Sequence, residues 1–215
     1  MRRQILASFL CFLGLASGLS ARADIGAVAV DAGAGASVVR VLAPYASGTT
    51  SQVGSAPAVW IDGRYGLTNS IELTATLFAE TSVPYYVEGT TIASDAGKLS
   101  GTLQLQARRY GVMTGVRLLR GNVWRMIVGA DVGWALSSYS SMRLIDVADQ
   151  SGPRDFGLVL ADTTTNSLIL APSVGASWVG DKISITVLPR FEALIGPKTT
   201  WAISVPVTIG WDWYL

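Results

Sequence analysis

The sequence predicts an all-β fold, an eight-stranded antiparallel up-and-down transmembrane β-barrel. Three observations predict it. Half of the residues are apolar and mean hydropathy is +0.41, yet beyond the N-terminal stretch no run of roughly 18 apolar residues could form a membrane-spanning helix. Eight segments alternate apolar and polar residues with the period of two that a strand imposes. The connections between them alternate between tight and long. In lipid only helices and closed barrels satisfy their own backbone groups, so an apolar chain without a spanning helix points to a barrel.

The N-terminus has the layout of a secretory signal peptide. Arg2 and Arg3 supply a positive start, Ile5 to Leu15 an apolar run, and Ala21-Arg22-Ala23 the small residues of a cleavage site. Two units follow: a signal peptide over 1–23 and a β-barrel domain over 24–215. Cys11, the sole cysteine, lies in the leader behind Leu10 rather than behind a small residue, which argues against a lipoprotein. The remainder has no disulfide and no thiolate. Of 16 basic and 15 acidic residues, Arg2, Arg3 and Arg22 fall in the leader, which leaves 13 against 15. No basic surface for nucleic acid follows.

The strands are expected at 27–43, 57–67, 70–83, 100–119, 123–139, 166–179, 183–195 and 201–214. The last is the plainest. Trp201, Ile203, Val205, Val207, Ile209, Trp211, Trp213 and Leu215 share one face, and Ala202, Ser204, Pro206, Thr208, Gly210, Asp212 and Tyr214 the other. Such a span exceeds an ordinary soluble strand and suits a tilted membrane crossing. Pro206 is awkward inside a paired strand. Segment 100–119 changes phase near Arg108-Arg109-Tyr110, where a β-bulge or a misplaced boundary is expected.

Three connections are tight: Leu67-Thr68-Asn69-Ser70, Arg120-Gly121-Asn122 and Gly180-Asp181-Lys182. They carry the residues hairpin turns require. The alternate connections, 44–56, 84–99 and 140–165, are long, with 196–200 the short exception. Outer-membrane barrels place short turns on the periplasmic end and longer loops outside, and this parity matches them. Trp124 and Trp134 stand ten residues apart on one face, as do Trp201 and Trp211. At about 3.3 Å per residue and a tilt of ~40°, that spacing spans about 25 Å, the height of an apolar band between aromatic girdles. The girdle set is Trp124, Trp134, Trp178, Trp201, Trp211 and Trp213. Core tryptophans of a soluble barrel are the competing reading.

On these residues the chain resembles the small outer-membrane barrels of Gram-negative bacteria, the broad group of the OmpA transmembrane domain, OmpX-like and OmpW-like proteins. Arg64-Tyr65-Gly66-Leu67-Thr68-Asn69-Ser70-Ile71-Glu72-Leu73 looks like the strand-turn-strand of their periplasmic turns. The final strand is similar to the C-terminal signal read by the barrel-assembly machinery, although Leu215 stands where Phe or Trp is usual. The resemblance implies an outer-membrane location, with membrane lipids, lipopolysaccharide and that machinery as partners.

The chain contains no histidine. That excludes histidine-based triads and the common zinc sites, and no catalytic, cofactor or metal site is expected. Asp31-Ala32-Gly33-Ala34-Gly35 holds a Gly-x-Gly without the third glycine or the helix of a nucleotide motif. Small residues for close packing, or for room inside the barrel, are the better reading. Alternation places Asp62, Arg64, Glu72, Glu80, Arg125, Asp131, Arg190, Glu192 and Asp212 in the lumen, with Asp31 and Arg108 as further candidates. The expected arrangement is a network of opposite charges plugging a narrow interior; the sharper alternative is an ion path lined by charge. Arg125, Asp131, Arg190 and Glu192 are expected to form one interior network. In the loop 140–165, Asp146, Asp149, Asp155 and Asp162 lack EF-hand spacing. A structural or surface-interaction protein leads, followed by a narrow channel for ions or apolar molecules, then a soluble periplasmic ligand-binding barrel. The last would reverse the faces, with apolar residues inside.

Overall fold

The computed structural model describes residues 25–46, 50–94, 97–149, 152–154 and 158–213. The expected leader and its cleavage site, Leu215 and Asp155 lie outside these residues. So do the side chains of Asp149, Asp212 and Trp213, although their backbone is described. The strands are β1 (Val28–Leu42), β2 (Ser51–Thr68), β3 (Ile71–Glu80), β4 (Val83–Ser94), β5 (Gly97–Arg120), β6 (Trp124–Asp149), β7 (Gly152–Arg154), β8 (Leu158–Val159), β9 (Thr163–Val179), β10 (Ile183–Val187), β11 (Arg190–Ile195) and β12 (Thr200–Trp213). β3 with β4, and β10 with β11, each act as one stave, because both members of each pair bond to the same neighbour. Eight antiparallel staves then close into a ring where β12 pairs with β1.

The register fixes the shape of the ring. From Ala27 one row of paired residues runs through Gly66, Glu72, Arg117, Gly129, Ser173, Arg190 and Ser204, and returns to β1 at Ser37. The path therefore closes ten residues beyond its start. Eight strands with that stagger tilt by about 40° and enclose a backbone radius of about 8 Å. Inward side chains can meet across such a lumen, and arginines reach its far wall.

Side chains alternate through the belt, and the inward phase shifts only beyond it, on β6 from Asp131 and Ala135 to Met142 and Leu144 and on β4 from Tyr85 and Val87 to Thr90 and Ile92. Outward positions form an apolar belt that includes Val30, Ile61, Leu77, Val116, Val128, Val174, Ile185 and Val207. The belt is interrupted by the hydroxyl of Thr114, which is satisfied locally by donating to the Thr74 carbonyl at 2.9 Å. Tight turns close one end. Gly121 adopts φ +117° in one of them, a conformation that favours glycine.

Three expectations need correction. First, 84–99 and 140–165 are not mainly irregular loops. β4 and β5 form a long hairpin, and β6 runs on to Asp149, flanked by the short β7 and β8. Soluble-type pairing stabilises these segments beyond the belt, where turn-rich composition suggested loops. Second, no bulge sits at Arg108-Arg109-Tyr110. Pairing with β6 is continuous from Ala107 to Arg120, and the register shifts lie between Ser100 and Thr102 and between Gln104 and Gln106. What changes is the surroundings. Up to Tyr110 the outward face is apolar; beyond it Arg108 and Gln106 face out while Leu105 and Leu103 are buried. The strand leaves an apolar environment for water, so its apolar face turns inward with no change of phase along β5. Third, β10 and β11 are separated at Leu188-Pro189, beside Pro206. There the Leu188 amide donates to the Pro206 carbonyl at 3.2 Å, while proline has no amide to return the bond.

Candidate functional site

The lumen is the candidate site, and it is layered. Ascending β2 from the turn end, the inward residues are Arg64, Asp62 and Trp60; on β3 they are Glu72, Thr74, Thr76, Phe78 and Glu80; on β5, Arg117, Met113 and Arg109. β2, β3 and β5 each carry charge nearest the turns and a bulky apolar group further up, and β3 and β5 end on charge again.

The lowest cluster centres on Arg64. Its guanidinium grips Asp31 with two contacts, Nε to Oδ2 at 2.7 Å and Nη2 to Oδ1 at 2.8 Å. It also meets Glu72 at 3.3 Å and donates to the Ser184 hydroxyl at 2.9 Å. The middle cluster centres on Asp62, only 2% exposed. Arg117 approaches its carboxylate at 3.0 Å, Arg190 at 3.1 Å, and Thr76 donates to it at 2.5 Å. Nearby, Asp131 accepts from Thr74 at 2.9 Å. The upper cluster is Arg109 between Glu80 and Glu192, with 2.6 Å to Glu192. Arg109 also lies 5.1 Å from the Phe78 ring centroid, a cation–π distance, and Ser204 donates to Glu192 at 2.6 Å.

Glycines make this filling possible. A side chain at Gly35 would come within 3.2 Å of Trp60, and one at Gly111 within 2.8 Å of Phe78. One at Gly115 would collide with the Asp131 carboxylate. Each inward glycine thus provides the floor for a large neighbour. The Gly-x-Gly at Gly33 and Gly35 serves strand packing and room for Trp60.

Above the upper cluster the interior is an apolar core that includes Val87, Leu103, Leu105, Met142, Leu144 and Ile169. Burial and the charge of Glu80 push the Tyr85 phenol up to about 12. A cavity of about 20 Å³ remains between Glu80, Arg109, Tyr85 and Tyr139, room for a water or two. The mouth is tied down by Lys198, whose ammonium donates to the Ala43 and Ala46 carbonyls at 2.7 and 3.1 Å. Burial lowers its pKa from the usual lysine value. Tyr45 donates across to Ala161 at 3.0 Å.

Of the expected lumen residues, Asp31, Asp62, Arg64, Glu72, Glu80, Asp131, Arg190 and Glu192 are buried in the interior. Arg125 is not one of the buried network. It sits at the first turn of its strand, half-buried, donating to the Asn122 carbonyl at 3.2 Å. Arg108 points outward; Arg109 takes the inward position, because the alternation of β5 never breaks. Arg117 is a further interior cation, masked in the sequence by the supposed phase change. Arg125, Asp131, Arg190 and Glu192 do not form one network: Arg190 pairs with Asp62, and Glu192 with Arg109. Partner choice depends on reach across the lumen, which alternation does not encode. Asp212 and Trp213 occupy backbone positions opposite Ala29 and Val28.

Trp124, Trp134, Trp178 and Trp211 lie on the outward face, from 36% to 71% exposed, and Trp201 is partly exposed. Trp60 is buried inside. The interior thus holds charges behind an apolar exterior, the reverse of a soluble ligand-binding barrel. Among the described residues, no three acidic, histidine or cysteine side chains gather as a metal site.

Neither a protein-family model nor a curated protein matches the sequence. Solved structures do. Ail, the attachment invasion locus protein of Yersinia pestis, matches with TM-score 0.51 at 10% identity, over 88% of this chain and 100% of that one. Its complex with the heparin analogue sucrose octasulfate gives 0.52 at 12%, with the same coverage. Neisserial surface protein A gives 0.50 at 13%, over 86% of this chain and 98% of that one. Such identities speak to fold alone, and the fold is that of the small eight-stranded outer-membrane β-barrels.

Proposed function

We propose that the chain is an exported protein of the Gram-negative outer membrane, with a structural or surface-interaction role and a barrel that does not conduct. Residues 1–23 are its export signal, and the final strand is the segment handed to the barrel-assembly machinery. Lipids and lipopolysaccharide are its immediate partners. The supporting observation is the filled lumen. Three ion-paired clusters, the Trp60–Phe78–Met113 layer and the apolar core above leave little space, and Lys198 ties the outer mouth. A barrel of eight strands has an interior just wide enough for such side chains. The β4–β5 hairpin and the extension of β6 stand beyond the belt as a rigid surface for contacts outside the cell. The chain has no histidine and its one cysteine, Cys11, falls within the proposed export signal, which supports a non-enzymatic reading.

Single-channel recording of the refolded protein in planar bilayers tests this reading. The expected result is current at the background of the protein-free bilayer. Reproducible unitary steps would replace it with the narrow-channel reading.

A further inference from the structure

The geometry points to a binding site for the phosphorylated head group of an outer-leaflet glycolipid, centred on the outward face of Arg108. This rests on the outer-membrane reading above and adds a site to it. Arg108 is exposed and takes part in no hydrogen bond or ion pair with another described residue, whereas the four interior arginines are all paired. It is the first outward residue of β5 beyond Tyr110, which closes the apolar belt there at 42% exposure. Trp134, 52% exposed, stands on the neighbouring strand opposite Val112. The guanidinium therefore sits at the height where lipid head groups meet the aromatic girdle.

The frame around it is one of hydroxyls and amides. Ser138 is its cross-strand partner on β6. Gln106, the next outward residue, accepts from the Ser82 hydroxyl at 3.3 Å. Gln104 and Arg143 are paired one step further out. The outward strip of β5 and β6 thus offers two arginines with serines and glutamines between them, and the one carboxylate described beside it, Asp162, is engaged by the Ser141 amide at 3.1 Å on the Arg143 side. Glu80 and Glu192, the acids at this height, face inward and are held by Arg109.

An arginine fork recognises phosphate, hydroxyls and amides recognise sugar, and an aromatic edge suits the boundary between sugar and acyl chain. The strip is continuous with the belt at Val112 and Val132, both exposed. A ligand with an anionic sugar head and acyl chains covers both surfaces at once. A soluble polyanion would leave the belt residues beside Arg108 uncovered, which is why the lipid is favoured.

The test is retention of bisphosphorylated lipid A by the protein folded in detergent, read by native mass spectrometry. R108Q is expected to retain it about fivefold less, R108K to fall between, and R120Q, an arginine at the opposite rim, to match the parent. Lipid A stripped of phosphate should bind the parent as weakly as R108Q binds the intact lipid. Equal retention by R108Q and parent, or an equal loss in R120Q, overturns the site. Dextran sulfate binding through Arg108 while lipid A does not would overturn the lipid assignment in favour of a soluble polyanion. Each variant is first checked for different migration boiled and unboiled on a denaturing gel. Absence of that shift in the parent would count against the membrane barrel itself, separately from Arg108.

Discussion

Replacing Asp62 by alanine should be among the most costly single changes in the barrel. Asp62 holds two guanidiniums, Arg117 at 3.0 Å and Arg190 at 3.1 Å, and all three side chains are at most 3% exposed. Deleting one partner of a buried pair costs about 3–5 kcal/mol, because the remaining charge loses its partner without regaining water. Here two charges are orphaned and the Thr76 hydroxyl loses its acceptor. The expected cost therefore lies in the upper half of that range, about 4–5 kcal/mol. Asp62→Asn keeps the shape and should cost nearly as much, since the lost quantity is charge. Adding Arg190→Ala to Asp62→Ala removes one orphan, so the double mutant should recover about 1–3 kcal/mol relative to additivity. Arg117 remains, so recovery is incomplete. Urea unfolding in lipid vesicles, followed by tryptophan fluorescence under reversible conditions, measures all five proteins: the parent, Asp62→Ala, Asp62→Asn, Arg190→Ala and the double mutant. A cost below about 1 kcal/mol for Asp62→Ala, or strict additivity in the double mutant, would refute the middle cluster.

Val128→Arg places a charge near the middle of the apolar belt and should cost roughly 2–4 kcal/mol in the same assay; a neutral result would mean the outward face is not in lipid. Gly111→Ala should cost about 1–3 kcal/mol, because the added methyl meets the Trp134 carbonyl and comes within 2.8 Å of the Phe78 ring. Phe78→Leu in that background should restore part of the loss, and failure to do so would count against direct crowding.

Much of the barrel is legible in the chain, for a physical reason. Where a wall divides lipid from a polar interior, both faces are under opposite demands, and alternation along 71–80, 124–134 and 201–211 assigns each residue to its side. Outside the lipid that contrast fades. Leu103 and Leu105 belong to the same face as Arg109 and Arg117, but the sequence presents apolar residues in one half of the strand and charges in the other, which imitates a change of phase. Arg108 and Arg109 are adjacent cations, and only the unbroken pairing of β5 with β6 tells which enters the lumen. The hairpin β4–β5 was hidden by its Gly and Ser content, which also suits loops. Pairing across the lumen, such as Asp62 with Arg190, depends on stagger and side-chain reach, and these belong to the closed ring rather than to any strand.

The measurement closest to the central claim is site-directed spin labelling along β6 in lipid vesicles, in a Cys11→Ser background that leaves no native thiol. Single cysteines are introduced and labelled from Met126 to Val132. Collision with oxygen, which concentrates in lipid, should be high at 126, 128, 130 and 132 and low at 127, 129 and 131. Uniform accessibility along the strand, or maxima at 127, 129 and 131, would contradict a membrane barrel with its charges inside.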